Sequence, residues 1–272
     1  MQYTKALLHF DDSNNIMKDE VSNNVWTKIG SPTISTSIKK FNSSLHITPG
    51  NWIQSSNKYM IGDQDFTFEC FALIRDGTNS GCATAISLGN STTSELGNRL
   101  LLGFSRGELC CSVSGYSYWD RTGGAYAYNT WYHLAMSYEF STNTFRFFVN
   151  GVNKGTLNPN TSGMSKSERW INIGVGSSRS TSYCQYQGNV NIDEVRLSIG
   201  ICRYTANFTP PTQQFVYGPY AKFPSNLDGT YTTAPNKLKY YYKIRFEQGP
   251  YTTTSNVVNY VTEHKRRQPW AA

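Results

Sequence analysis

The residues best suited to holding a ligand lie in "SGYSYWDRTGGAYAYNTW", positions 114–131. Tyr116, Tyr118, Trp119, Tyr126 and Tyr128 offer aromatic faces that can stack on the C–H surface of a sugar ring. Asp120 and Arg121 add hydrogen-bonding groups for hydroxyls, and Gly123-Gly124 adds a hinge. The same residue types build protein contact patches, because Tyr and Trp give large area at low entropic cost. They also occur as plain sheet surface. All three readings, sugar site, protein contact and bare sheet, are open on sequence alone.

Catalytic constellations are weaker. In "DQDFTFE", Asp65 and Glu69 share a strand face, but four residues at about 3.3 Å each place them roughly 13 Å apart. Glycoside hydrolysis needs two carboxyls about 5–5.5 Å apart for retention and roughly 6.5–9.5 Å for inversion. Asp65 is therefore expected to start a strand and Glu69 to be solvated. His133 sits in "WYHLAMSY" as a half-buried structural residue, and His9 and His46 lie in similar runs. His264 belongs to a basic terminus. No Ser-His-Asp arrangement stands out, and no Gly-rich phosphate loop links a strand to a helix. The six cysteines form no Cys-x-x-Cys pair, so a zinc or redox site is not expected. Reduced thiols are favoured over a disulfide framework, because a chain of this length builds its core without staples.

The last fifth of the chain has a different chemistry. Residues 217–272 hold eight Lys/Arg against three Asp/Glu, which is five of the seven net positive charges. "KLKYYYKIRFEQ" (237–248) alternates cleanly: Lys239, Lys243 and Arg245 share a face, opposite Leu238, Tyr240, Tyr242, Ile244 and Phe246. The chain ends in "HKRRQPWAA", with Lys265, Arg266, Arg267 and Trp270. Such a terminus could neutralise phosphates, meet an acidic protein surface with Trp270 as anchor, or stay solvated. The amphipathic strand favours protein docking, because an isolated hairpin is marginal in water. Nucleic acid is not the expected partner.

These groups need a frame, and the frame reads as β-structure. Helical periodicity is nearly absent. Short alternating runs recur between turn residues, among them 4–10, 33–41, 43–47, 65–75, 82–89, 98–105, 108–114, 131–140, 144–150, 169–176 and 189–198. In "DFTFECFALIR", Phe66, Phe68, Cys70 and Ala72 are expected to face a core. Asn150-Gly151 is a type I′ hairpin signal. The composition agrees, with 19 Tyr, 14 Phe, 22 Gly and only 16% charged residues. No apolar run approaches the roughly 18 residues of a membrane span, and "MQYTKALLHF" shows no secretory leader. "IDEVRLSIGICRYTANFTPPTQQF" (192–215) should close the domain. Ile192, Val195 and Leu197 pack the last core strand, and Tyr204 and Phe208 pin a corner. Pro210-Pro211 then stop the ladder for want of N–H donors.

The ordered set "LLHFDD", "DFTFECFALIR", "TWYHLAMSYE…TFRFFVNGV", "INIGVGS" and "NIDEVRLSIGICRYTANFTPPTQQF" resembles the laminin-G-like jelly rolls of the concanavalin A-like lectin/glucanase superfamily. The "RYTANFTPPT" form looks most like modules of bacteriophage virion proteins. The resemblance spans about residues 3–215. The residues beyond it, 216–272, read on their own as a basic extension with a β-hairpin or arm, while the resemblance implies an all-β, two-sheet antiparallel jelly roll over 1–215. It also implies a non-catalytic role in attachment, at a tail fibre, tail tip or capsid surface. Expected partners are other virion proteins or further copies of the chain, together with host-surface glycan, and the expected place is the virion, with the chain made in the host cytoplasm. The alternatives are a glycan-active hydrolase and a free lectin. No cofactor is expected. Jelly rolls of this kind often hold a structural Ca²⁺, and Asp11 and Asp193 could approach if the first and last strands are neighbours. The plainer expectation is that Asp11 and Asp12 cap a turn and that Asp193 pairs with Arg196 or Arg203.

Overall fold

The computed structural model describes residues 3–21, 24–61, 63–76, 82–89, 100–105, 108–113, 116–120, 126–158, 168–176 and 188–216. Their strands form two antiparallel sheets. One runs, in spatial order, β13 (Val152–Leu157), β12 (Thr144–Val149), β11 (Trp131–Glu139), β6 (Phe66–Asp76), β15 (Asn189–Ile199), β4 (Ser44–Ile47) and β3 (Thr33–Ser35), while β1 (Thr4–Leu8) also pairs with β15. The other runs β10 (Tyr116–Asp120), β9 (Glu108–Val113), β8 (Leu100–Ser105), β7 (Cys82–Gly89), β14 (Glu168–Ile173), β5 (Trp52–Met60) and β2 (Trp26–Ile29). The first and last strands are thus neighbours, as expected. Among the described residues no helix is long and apolar enough to cross a membrane.

Alternation decides which side chains meet between the layers. Phe66, Phe68, Cys70, Ala72 and Ile74 of β6 enter the core with Leu134 and Met136 of β11 and Phe145 and Phe147 of β12. Leu88, Leu100, Leu102, Cys111 and Ile171 face them from the seven-stranded sheet. Burying side chains of this size removes about 1.5–3 kcal/mol each of unfavourable hydration, which is the main force holding the layers together.

The opposite face of β6 is buried as well: Thr67, Glu69 and Phe71 are 0–3% exposed. The closing segment covers Thr67 and Glu69, while Phe41 and Lys40 cover Phe71. After β15 the chain turns at Gly200 and folds back across the outside of the eight-stranded sheet. Arg203 N donates to Thr67 Oγ1 at 2.9 Å. The rings of Tyr204 and Phe208 stack at 3.6 Å and 6°, and both meet His133 and Phe148 edge-on. Phe208 N donates to Gly151 O at 2.9 Å. Gly151 has φ +77°, and a Cβ there would lie 1.9 Å from the Phe208 carbonyl oxygen. The Asn150-Gly151 turn therefore needs glycine twice, for the left-handed backbone and for the segment lying on it.

The strand expectations differ from the structure in three places. The run 33–41 is a strand only to Ser35, whose Oγ accepts from Ile38 N and turns the chain out of the ladder. β2 and β5 lie outside the expected runs. β5 is a polar strand between β14 and β2, with Ile53 and Ser55 buried and the stretch from Ser56 largely exposed, so its composition hides its pairing. β10 takes Tyr116–Asp120, part of the aromatic stretch for which sugar site, protein contact and bare sheet were all open, and which was not among the expected strand runs.

Candidate functional site

Four groups of chemically capable side chains were expected. The structure treats each differently.

The carboxylates come first. Glu69 is fully buried, a correction to the expected solvated residue. Its Oε1 accepts from Arg196 Nε at 2.9 Å and Nη2 at 2.7 Å. Its Oε2 meets His133 Nε2 at 3.1 Å and accepts from the Tyr204 hydroxyl at 2.7 Å. Burial alone would raise its pKa, but the Arg196 charge and the His133 and Tyr204 hydrogen bonds override it and hold the carboxyl down to about 2. Both oxygens are consumed in tying the closing segment to β6, β11 and β15. His133, 1% exposed, is buried rather than half-buried for the same reason. Asp65, at the start of β6, accepts from Phe140 N. Neither carboxyl is placed to work on a glycosidic bond with the other.

A second acidic group forms where β1 leaves the sheet beside β15. A bulge interrupts the pairing of β15 with β6 between Asp193 and Arg196, and Glu194 sits there with φ +54°. Glu194 Oε1 meets His9 Nδ1 at 2.6 Å, and its Oε2 accepts from Phe215 N at 2.6 Å. The carboxylate raises the His9 pKa against the opposing effect of burial. Asp193 is fully buried; its Oδ2 accepts from Lys40 N and Phe41 N, and Oδ1 accepts no hydrogen bond. Burial, then the charge of Glu194, pushes its pKa to about 8, and Asp11 adds to this. The expected pairing of Asp193 with Arg196 or Arg203 is not formed, because Arg196 is spent on Glu69 and Arg203 Nε donates to Ser198 Oγ.

Asp11 and Asp193 share this region, and an open cleft lined by His9, Asp11, Asp12, Lys18 and Glu20 lies beside it. They do not fit a Ca²⁺ cage. Ser43 N and Oγ donate to Asp11 Oδ1, and Asn42 Nδ2 and Gln214 Nε2 donate to Oδ2, so donors occupy the side a cation would need. Among the described residues no three His, Cys, Asp or Glu are grouped to hold a metal. Asp11 bridges to Asn42, Ser43 and Gln214 rather than capping a turn. Asp12 does cap one, accepting from Asn14 N and Asn15 N.

The aromatic stretch is divided. Tyr116, Tyr118, Trp119 and Asp120 lie on β10, the edge of the seven-stranded sheet, where Tyr118 pairs with Cys111 and Trp119 with Cys110. Arg121 lies outside the described residues. Tyr126 is a packing residue, with its ring 5.5 Å from Phe104 and 5.1 Å from Tyr132. Tyr128 is 44% exposed in the turn before β11. The docking residues Lys239, Lys243, Arg245, Lys265, Arg266, Arg267 and Trp270 lie outside the described residues, beyond the compact unit that ends at Phe215.

Sequence reasoning missed the Glu69–Arg196–His133–Tyr204 network. Its signal was present: a lone Glu among Phe and Cys in β6, and an Arg-Tyr pair in the closing segment.

With this geometry in hand, the comparisons are of one kind. No curated protein matches the chain. Domain 4 of AbnA, a GH43 extracellular arabinanase from Geobacillus stearothermophilus, solved in complex with arabinotriose, superposes with TM-score 0.53 and 18% identity over 73% of this chain and 93% of that one. The binding domain of Paraclostridial Mosquitocidal Protein 1 gives 0.55 and 11% over 76% of this chain and 50% of that one. A structure of botulinum neurotoxin type C, whose cell entry depends on two ganglioside molecules, gives 0.50 and 14% over 72% and 48%. The chain thus spans about half of each toxin domain and nearly all of the arabinanase domain. These likenesses concern the fold. Residues 46–199 match the Laminin_G_3 family, so the chain belongs to that laminin-G-like family of the concanavalin A-like lectin/glucanases superfamily.

Proposed function

We propose that the sandwich is a non-catalytic carbohydrate-binding module. The observation that carries this reading is the likeness to AbnA domain 4, an arabinotriose-bound domain matched over 93% of its length. The fate of the carboxylates supports the non-catalytic half. Glu69, which shares a strand face with Asp65 but at too great a spacing for a hydrolytic pair, is ion-paired with Arg196 and covered by the closing segment. The Tyr/Trp-rich sequence of β10, an edge strand, and the exposed Tyr128 in the turn before β11 support this part of the sheet as the surface on which a sugar would stack.

The finer reading is that the module serves a virion. Residues 216–272 would attach it to other virion proteins or to further copies of itself, and the sandwich would meet host-surface glycan. That reading rests on the "RYTANFTPPT" resemblance and on the basic, Trp-terminated extension. Glycan-array binding by the full chain tests the module, and a reducing-sugar assay on mixed polysaccharides tests the hydrolase alternative. Array binding without sugar release is the expected outcome. Release that survives purification but disappears with a Glu or Asp substitution would overturn it. Cross-linking in intact particles tests the virion placement, and a chain found only free would make it a lectin without an assembly.

A further inference from the structure

A second surface meets the requirements of a sugar site better than its composition announces. It is an open groove of about 570 Å³ where the start of β1, the end of β5 and the turn after β15 come together. Tyr3, Tyr59 and Met60 line it with Lys5, Lys58 and Gln64. Tyr3 and Met60, 37% and 45% exposed, put two large apolar side chains on this one open surface. Among the described lining residues none is acidic. From β10 to β5 the sheet crosses five ladder steps, so at about 4.8 Å each the groove lies roughly 24 Å from the aromatic edge strand.

The groove is built, not incidental. Ile199 N donates to Tyr3 O at 2.8 Å and Gly200 N to Asp65 O at 2.7 Å, which fixes its floor. Gly200 has φ +87°, and a Cβ there would come within 3.1 Å of the Tyr3 ring, so glycine lets that ring lie against the backbone. The Tyr59 hydroxyl reaches Lys5 O at 3.4 Å. Lys58 Nζ stands 4.3 Å over the Trp170 ring, which orients one cation beside the tyrosines before any ligand arrives.

The chemistry narrows the occupant. Tyrosine rings and a thioether present flat, polarisable surface to the C–H face of a pyranose. The Lys58 ammonium and the Gln64 amide supply hydrogen bonds, and the ammonium favours an anion. From this geometry we infer that the groove binds an acidic saccharide, a sugar ring bearing a carboxylate. The inference rests on the carbohydrate-binding reading above, but it names a different surface.

The test uses the full chain, with 3′-sialyllactose against lactose and trigalacturonate against arabinotriose, measured by saturation-transfer NMR and calorimetry. At least one acidic sugar is expected to bind on the order of tenfold more tightly than its neutral counterpart, as one or two charge-assisted hydrogen bonds require. Lys58→Glu should abolish that preference, and Tyr3→Ala should weaken binding by a similar factor, with thermal melting showing that both variants fold. Raising the salt should erode the preference. Acidic sugars bound no better than neutral ones, or a preference unchanged in both variants, would overturn the groove while leaving the carbohydrate reading intact if Trp119→Ala removes the remaining binding. A wild-type chain that binds no glycan on the array or in these titrations would sink both.

Discussion

Glu69 and Asp193 lie on the same face, two register positions apart across β6 and β15, since Asp193 pairs with Phe71, and their pKa values are displaced in opposite senses. With its pKa held near 2 against an ordinary 4.5, Glu69 gives about 3 kcal/mol of stability. The sign follows from depression: this stability is complete above pH 4.5 and disappears as pH falls towards 2. Removing its partner should expose the cost of the buried charge. Arg196→Met is expected to lose about 3–5 kcal/mol at pH 7 by urea unfolding, and far less at pH 3. Adding Glu69→Gln to it should restore part of the loss. Asp193, raised to about 8, works the other way. It is protonated when folded at neutral pH, so its contribution is full below about 4 and falls as pH rises to 8. Asp193→Asn should flatten the urea midpoints between pH 5 and 8, and an unchanged slope would remove this assignment. His9, with its pKa raised by Glu194, adds stability below its ordinary 6.5 that is lost as pH climbs past its folded value.

At the scale of elements, β15 shows how a strand can break its own alternation. Ile192 and Val195 both enter the core although they stand three positions apart. Strict two-residue periodicity forbids that. The bulge with Glu194 at φ +54° inserts the extra residue that restores the phase. The bulge also turns Asp193 to Lys40 and Phe41 and leaves Arg196 facing Glu69, so one backbone irregularity places both acidic groups. The closing segment depends on the β12–β13 turn in the same manner. Gly151→Ala should cost about 3 kcal/mol or more, because backbone strain and the clash with Phe208 O add together. Gly50→Ala, also at positive φ but facing open space, should cost about 1–2 kcal/mol. Equal losses in thermal or urea unfolding would show that the closing segment does not press on Gly151.

For the whole molecule, residues 201–215 lie over the outside of the eight-stranded sheet at Thr67, Glu69, His133 and Phe148, which removes that part of the sheet from ligand binding. Binding at the edge strand is checked by Trp119→Ala, which should weaken neutral glycan binding about tenfold in calorimetry while the unfolding midpoint stays put. Loss of both binding and stability would instead make Trp119 a packing residue.

Much of this was legible in the amino-acid order. The two-layer β-fold, the core face of β6, the Asn150-Gly151 hairpin and the Tyr204–Phe208 corner follow from local causes: period-two burial, left-handed turn residues and proline stops. β2, β5 and the truncated β3 were not legible, because Ser, Asn and Lys pair in a ladder without leaving an apolar pattern. Nor were the roles of Glu69, Asp193, Tyr3 and Lys58. Charge state and accessibility depend on which distant strand or corner comes to lie beside a side chain, and residues 69, 133, 196 and 204 meet only after β6, β11, β15 and the closing segment have docked. The chain's own periodicity determined the layers, and long-range contact alone decided which polar groups are buried anchors and which stay open to a ligand.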